Sequence, residues 1–306
     1  MLKYFQLSAL ILTLLVIIPC LYRTLQHYLK KHDINILKVL LILIKKRLLY
    51  PHSKKDIKIP IDSQAIPLKK GKDCLLMTAC IDVGKTPFVT IRNSQDRLNQ
   101  YLRSVILWII RSDIKNIIFC ENSGFQYDYG FLKDLAGIYG KAIEFIAFNG
   151  NDASYSKGKG YGEGEIIKYA LNNSKLISPD DMVYKITGRL YMKNFNAIYK
   201  EHLANDNVFN KLSYEIDEDK VDARFFKYSV RFYRHYLIDA YKDIDDPKGR
   251  YFEHILYSRL KGIDIPSFKL FPDYVGISAT SGKDYELTSM DLSWKNMISR
   301  LGLYDI

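Results

Sequence analysis

The chain is poor in the residues that announce metal or redox chemistry. Its 306 residues include four cysteines, Cys20, Cys74, Cys80 and Cys120, and no two of them stand in a C-x-x-C pair or at a spacing that zinc ligation uses. That excludes a zinc-ribbon or dithiol reading. Cys80 and Cys120 lie in apolar runs and read as buried, reduced thiols. The phosphate-loop pattern G-x-x-x-x-G-K-[ST] is absent. No internal repeat is visible.

Acidic residues are scarce at one end. Residues 1–70 hold thirteen Lys/Arg against three acids (Asp33, Asp56 and Asp62), so almost all of the net charge of +11 sits there. The other 236 residues balance 32 bases against 31 acids. A nucleic-acid binder needs its positive surface on the folded domain, so nucleic acid is not expected as a partner. The excess lies beside hydrophobic sequence, where an anionic membrane surface is the natural counterpart.

The stretch Leu7–Tyr22 carries no charge, and with Tyr4 and Phe5 it reaches about 18 residues, the lower limit for a membrane-spanning helix. Only Lys3 precedes it, while Arg23, Lys30, Lys31 and Lys38 follow, which puts the C-terminal side in the cytoplasm. A cleaved signal peptide is the rival reading. It lacks its A-x-A site, and dense positive charge after the run opposes export. A second stretch, Ile34–Tyr50, is apolar and basic, and reads either as an interfacial helix on anionic headgroups or as a helix packed on the domain. The expected organisation is an anchor and basic helix over 1–50, a Pro-containing linker over 51–73 and a catalytic domain over 74–306. The protein is therefore expected at the membrane, held by a single N-terminal pass.

From Cys74 onward the pattern alternates. Leu75–Val83, Asn116–Cys120, Ala142–Phe148 and Asp181–Thr187 read as strands; Ser94–Arg111, Tyr129–Tyr139 and Glu163–Asn172 read as helices. This order predicts an α/β fold with a mostly parallel central sheet and helices on both faces. Further on, Val221–Phe226 reads as a strand, Tyr228–Tyr241 and Arg250–Leu260 as helices, and Phe271–Gly282 as a loop.

Parallel sheets bind ligands at the carboxyl ends of their strands, so the informative residues are those just after each strand. After the first come Arg92 and Asn93 at a helix start, suited to an anion or serving as an ordinary cap with a surface Arg. After the second come Glu121 and Asn122, which can hold ribose hydroxyls or a base edge, or simply form a turn with Ser123 and Gly124. Lys157–Glu165 (KGKGYGEGE) has glycines at alternate positions and reads as a close-approach loop, with Lys159, Gly160, Gly162 and Glu163 lining a ligand pocket; a flexible loop is the alternative. After the fourth strand, Lys185, Thr187, Gly188 and Arg189 put two cations around a glycine turn, which suits a diphosphate. Asp222 and Glu253 are carboxylates among aromatics, where burial raises the pKa and makes a usable general base. Glu253 also sits where a helix dipole favours it.

Taken together, the Arg92-Asn93-Ser94 and Glu121–Gly124 turns, Lys157–Glu165, Lys185–Arg189 and Glu253 resemble a bacterial glycosyltransferase of surface-polysaccharide (capsule or lipopolysaccharide) assembly with a GT-A-like fold, over Leu75 to Tyr285. The resemblance implies a nucleotide-sugar donor and a lipid-linked or oligosaccharide acceptor. Such enzymes usually carry Asp-x-Asp near the end of the fourth strand, holding a divalent metal on the diphosphate. Here Lys185–Arg189 stands in that place, and Asp180-Asp181 precedes the strand. The expectation is therefore no cofactor and no metal, with Lys185 and Arg189 neutralising the leaving group. Glu253, or Asp222 in second place, would take the proton of the acceptor hydroxyl. Two alternatives remain at this point: another nucleotide-dependent transferase (nucleotidyl- or phosphotransferase), and a non-enzymatic membrane-associated binding module.

Overall fold

The apolar run after residue 72 becomes the middle of a five-stranded sheet. The computed structural model describes residues 71–213 and 219–300. The strands and helices that build the central layer are β1 (Asp73–Ala79), α1 (Ser94–Arg111), β2 (Asn116–Glu121), α2 (Gly130–Ile138), β3 (Ala142–Ala147), the short α3 (Ser154–Lys157), α4 (Lys159–Asn173) and β4 (Met182–Thr187). They are followed by β5 (Tyr191–Met192), α5 (Phe195–Glu201), the β6 (Lys211–Ser213) and β7 (Asp219–Val221) pair, β8 (Phe225–Ser229), α6 (Val230–Tyr236), α7 (Phe252–Leu260), β9 (Tyr274–Val275) and α8 (Ser289–Arg300).

The sheet order is β3-β2-β1-β4-β8. β1 pairs in parallel with β2 on one side and β4 on the other, β3 continues in parallel, and only β8 runs antiparallel. The mostly parallel α/β sheet read from the sequence is thus present, and both faces carry helices. Alternation along the strands sends side chains to each face in turn. Leu76, Ile118 and Val183 meet Ile166, Ile167, Ala170 and Leu171 of α4 together with α6 and α7. Leu75, Met77, Ile117, Tyr184 and Ile186 meet α1, α2 and α5 on the other face. Trp108 of α1 is fully buried there. Its ring packs edge-on against Tyr191 at 5.1 Å and Phe195 at 4.7 Å, and its Nε1 donates to the Leu190 carbonyl at 2.8 Å. Such a side chain contributes about 1.5–3 kcal/mol by burial.

Several elements depart from the sequence reading. β1 stops at Ala79 rather than Val83, because Cys80–Val83 leaves the sheet to form the rim of a cleft. The glycine-rich stretch is not a loop: α4 already begins at Lys159. The strand expected over Val221–Phe226 is divided into β7 and β8 by Asp222-Ala223-Arg224. The helix expected over Tyr228–Tyr241 ends at Tyr236 and continues as a 3-10 turn over Ala240–Asp243. The membrane anchor, the basic helix and nearly all of the linker lie outside the described residues. Among the described residues, no helix is long and apolar enough to cross a membrane.

Candidate functional site

The strand order dictates where a cleft can open. From β1 the chain steps outward to β2 and β3, then returns to place β4 on the other side of β1. The connections leaving β1 and β4 therefore diverge, and a crevice forms at their carboxyl ends. A cleft of about 580 Å³, open mouth included, lies there. The end of each parallel strand or the segment after it contributes to its walls: Thr78–Cys80, Val83 and Thr86 at and beyond the end of β1, Asn122 after β2, Asn151 and Ser154 beyond β3, and Thr187 and Arg189 at and beyond the end of β4. Lys159, Gly162 and Glu163, in the first turns of α4, complete it.

Two guanidinium groups are sunk into this cleft. Arg97, 4% exposed, reaches back from α1; its Nε and Nη2 donate to the Cys80 carbonyl at 2.9 and 2.6 Å. Arg189, 5% exposed, donates to Gln100 Oε1 at 2.8 Å and to the Ile277 carbonyl at 3.1 Å. Burial lowers the Arg189 pKa and the Arg97 charge adds to the effect, while Tyr101 opposes it. Neither guanidinium forms an ion pair with a described carboxylate, although buried charges normally find one. Lys159 adds a third cation at the start of α4, bonded to the Thr280 hydroxyl. A helix N-terminus contributes further positive potential there.

Polar groups without partners converge on the same place. Thr86 Oγ1, Asn122 Oδ1 and Ser154 Oγ are each buried and make no hydrogen bond to a described residue, and all three residues line the cleft. A buried, unsatisfied polar atom costs about 1–3 kcal/mol, so three in the walls of one cleft are a local concentration of unmet polar groups.

Three carboxylates gather around the first turns of α4. Glu163 Oε1 accepts from Thr78 Oγ1 and Thr187 Oγ1, both at 3.0 Å, and from Lys185 Nζ. Burial opposes its ionisation, but the Lys185 charge and these three hydrogen bonds outweigh it and hold the pKa below the usual carboxylate value. Glu253, half-buried at the start of α7, is pushed the other way. Burial raises its pKa, the neighbouring Glu163 and Asp222 charges add to the rise, and Lys159 opposes it. Asp246 is also raised, chiefly by burial, although the Gly160 N–H donates to its Oδ2 at 3.2 Å.

The residues singled out in the sequence divide accordingly. Asn122, Lys159, Gly162, Glu163, Thr187 and Arg189 line the cleft. Lys185 does not: it is fully buried beneath it, bonded to Glu163 and to the Ala223 carbonyl, with Phe226 at 5.5 Å. Its charge is spent on Glu163 instead of on a ligand. Both oxygens of Glu121 are occupied, by the backbone N–H of Ile81 at 3.0 Å, Ser123 at 2.8 Å and Phe125 at 3.1 Å, so the buried carboxylate ties the β1 and β2 exits together. Arg92 donates to the Gly84 and Thr86 carbonyls at 3.0 and 2.9 Å, which shapes the cleft rim from behind. Asn93 caps α1 through the Asp96 N–H at 3.0 Å.

Asp222 is clamped by Arg224, Nε and Nη2 both at 2.8 Å, with the Tyr274 hydroxyl at 3.2 Å. This leaves its oxygens engaged, whereas the Glu253 carboxylate accepts from the N–H of its own backbone and is not among the residues that line the cleft. Gly188 owes its identity to close approach: an added Cβ would stand 2.7 Å from the Thr78 carbonyl oxygen. Gly160 packs against Asp246, Phe252 and Ile244, so it is a contact surface rather than a ligand loop. Sequence reasoning passed over Thr78, Thr86, Arg97, Tyr101, Ser154 and Asp246. Thr78 carried a usable signal, since it stands at the carboxyl end of β1. Arg97 did not, because it reads as an ordinary helix residue.

No protein-family model matches the chain, and no curated protein matches it in sequence. Several solved structures share a distant likeness. One is provisionally assigned as a glucose-1-phosphate thymidylyltransferase from Bacillus anthracis, with 12% identity, 75% of this chain and 95% of that one covered, and a TM-score of 0.38. Another is the glycosyltransferase GlyE of Streptococcus pneumoniae, with 10% identity, 65% and 46% covered, and a TM-score of 0.40. A third is the galactosyltransferase LgtC bound to donor and acceptor sugar analogues, with 12% identity, 64% and 72% covered, and a TM-score of 0.39. Likenesses this distant decide neither lineage nor activity.

Proposed function

We propose that the protein is a nucleotide-sugar-dependent glycosyltransferase with a GT-A-like fold, working in cell-surface polysaccharide assembly. The observation that carries this reading is the pair of buried guanidinium groups, Arg97 and Arg189, which no described carboxylate pairs with, in a cleft at the switch point of a parallel sheet. Such a cleft is electrostatically incomplete until an anion enters it. The diphosphate of a sugar nucleotide supplies that anion, against Arg189, Lys159 and the first turn of α4. In this reading Asn122, Asn151 and Ser154, which line the cleft, receive the hydroxyls and base of the nucleoside. Glu253, its pKa raised by burial, takes the proton of the acceptor hydroxyl in this reading. The C1–oxygen bond of the donor breaks, and its electron pair leaves with the nucleoside diphosphate, opposed by the fixed cations.

The acceptor in this reading is a lipid-linked or oligosaccharide glycan. The basic, apolar N-terminal segment holds the enzyme at the membrane where such lipids reside, with the folded part on the cytoplasmic side. No divalent metal takes part. Full turnover in excess EDTA supports that element, and complete loss restored by Mn²⁺ overturns it.

The test of the whole is a thermal-shift series on the full-length chain against UDP-, GDP-, CMP- and dTDP-sugars. A donor at a hundred times its Kd stabilises by about 2.7 kcal/mol, a rise of about 5–10 °C for a domain of this size. A chain that none of the four classes protects is not a sugar-nucleotide enzyme.

A further inference from the structure

Glu163 is held in an unusual way. Its backbone is in the second turn of α4, between Gly162 and Gly164, and both glycines are sites of close approach. A Cβ on Gly162 would run into Ser154 Oγ and stand 3.1 Å from Asn122 Nδ2, and one on Gly164 would run into Tyr241. The helix is therefore wedged between the cleft wall and the 3-10 turn at Ala240–Asp243. This wedging brings the Glu163 side chain to the ends of β1 and β4. There one oxygen, Oε1, takes all three donors: Thr78 Oγ1, Thr187 Oγ1 and Lys185 Nζ. The other oxygen, Oε2, accepts no hydrogen bond from a described residue. The side chain is 22% exposed and lines the cleft, while its partner Lys185 is not exposed at all.

A carboxylate that served only to neutralise Lys185 would have no reason to keep one oxygen open in a cleft whose other charged residues, Arg97, Lys159 and Arg189, are all cations. Three donors on one oxygen fix the other in direction. Resting on the glycosyltransferase reading, we propose that Glu163 is a catalytic residue, presenting Oε2 as a carboxylate to the anomeric carbon of the bound donor sugar, and that Lys185 is its positioning residue.

The chemistry follows from charge. As the C1–oxygen bond breaks, the electron pair departs on the diphosphate, and positive charge develops on C1 and the ring oxygen. Glu163 opposes that charge, as the cations oppose the negative charge on the leaving group. The acceptor oxygen adds to C1, and its proton goes to Glu253. Two carboxylates with opposite surroundings thus divide the work, Glu163 held ionised by Lys185 and Glu253 kept ready to bind a proton.

The experiment compares Glu163→Gln, Glu163→Asp and the double variant Glu163→Gln/Lys185→Met in the full-length chain, using the sugar nucleotide that protects the wild type most. Glu163→Gln alone leaves Lys185 buried without a counter-charge and loses stability. The double variant replaces the ion pair by a neutral pair of similar volume and restores it. If Glu163 acts on the sugar, the double variant binds the donor with an unchanged thermal shift, but kcat falls about 10²–10³-fold. Donor hydrolysis by water falls with it, because the same charge develops whichever nucleophile attacks. Glu163→Asp keeps the charge but withdraws the oxygen, and it falls at least tenfold. A double variant that is protected by donor and turns over at the wild-type rate overturns the Glu163 assignment alone. A wild-type chain that no sugar nucleotide protects overturns the reading of the cleft, and this assignment with it.

Discussion

The glycines of Lys157–Glu165 offer a direct test of whether they serve a ligand or the fold. In α4, an alanine at Gly164 would place its Cβ 2.2 Å from the Tyr241 Cβ and 3.4 Å from the Tyr241 Cα, atoms that cannot swing away. Helix propensity alone favours alanine over glycine by about 0.5–1 kcal/mol. Overpacking against a fixed neighbour costs about 1–3 kcal/mol. The net expectation for Gly164→Ala is a loss of about 1–2 kcal/mol, by separation of α4 from the Ala240–Asp243 turn. Gly137 of α2 is the internal control, because an added Cβ there meets nothing within 4 Å. Gly137→Ala is expected to gain about 0.4–1 kcal/mol, mainly by stiffening the unfolded chain. Urea unfolding of the full-length chain, followed by the fluorescence of Trp108 and Trp294, measures both. Equal slopes with displaced midpoints keep the comparison clean. If Gly164→Ala proves as stable as the wild type, or gains as Gly137→Ala does, the close packing of α4 is wrong and the ligand-loop reading of the glycines returns.

Three further outcomes are expected. Arg189→Ala removes the charge that meets the diphosphate, and donor affinity falls about 10–100-fold, the worth of one charge-assisted hydrogen-bonded contact; unchanged binding and turnover would take Arg189 out of the site. The pH–rate profile rises with pH on its acidic side, because Glu253 must lose its proton to act and its raised pKa puts the midpoint above 4.5; Glu253→Gln should abolish that limb, and a limb that survives assigns the base elsewhere. The Glu163–Lys185 pair stabilises the fold fully above the ordinary carboxylate pKa of 4.5, and that contribution is lost as pH falls through the depressed Glu163 value. The wild type should therefore lose more stability than Glu163→Gln/Lys185→Met over that acidic range, and parallel acid unfolding of the two chains would contradict the linkage.

What was legible in the sequence had a local cause. The first four strands and the first two helices of the sheet layer announced themselves by apolar runs and helical spacing, and their order alone implied parallel pairing. The strand ends then named the region of the cleft, because right-handed crossovers leave no other place for it. Local pattern misled where distant residues decided the outcome. Gly160 and Gly162 looked like a close-approach ligand loop, yet they stand in the first turn of a helix, packed against Asp246 and Ser154. Asp222-Ala223-Arg224 looked like strand, yet the Asp222–Arg224 clamp divides β7 from β8.

Residue type by itself determined which charges this chain owns, and strand order determined the edge at which they gather. Only the tertiary structure decided how they are spent. Lys185 and Arg189, four positions apart and equal on paper, end in opposite roles, because β4 turns Lys185 inward beneath α4, against Glu163, while Arg189, past the Gly188 turn, lines the cleft. A charge acts on whatever lies within a few ångströms of it, and in a folded chain those neighbours come from segments that the sequence holds far apart.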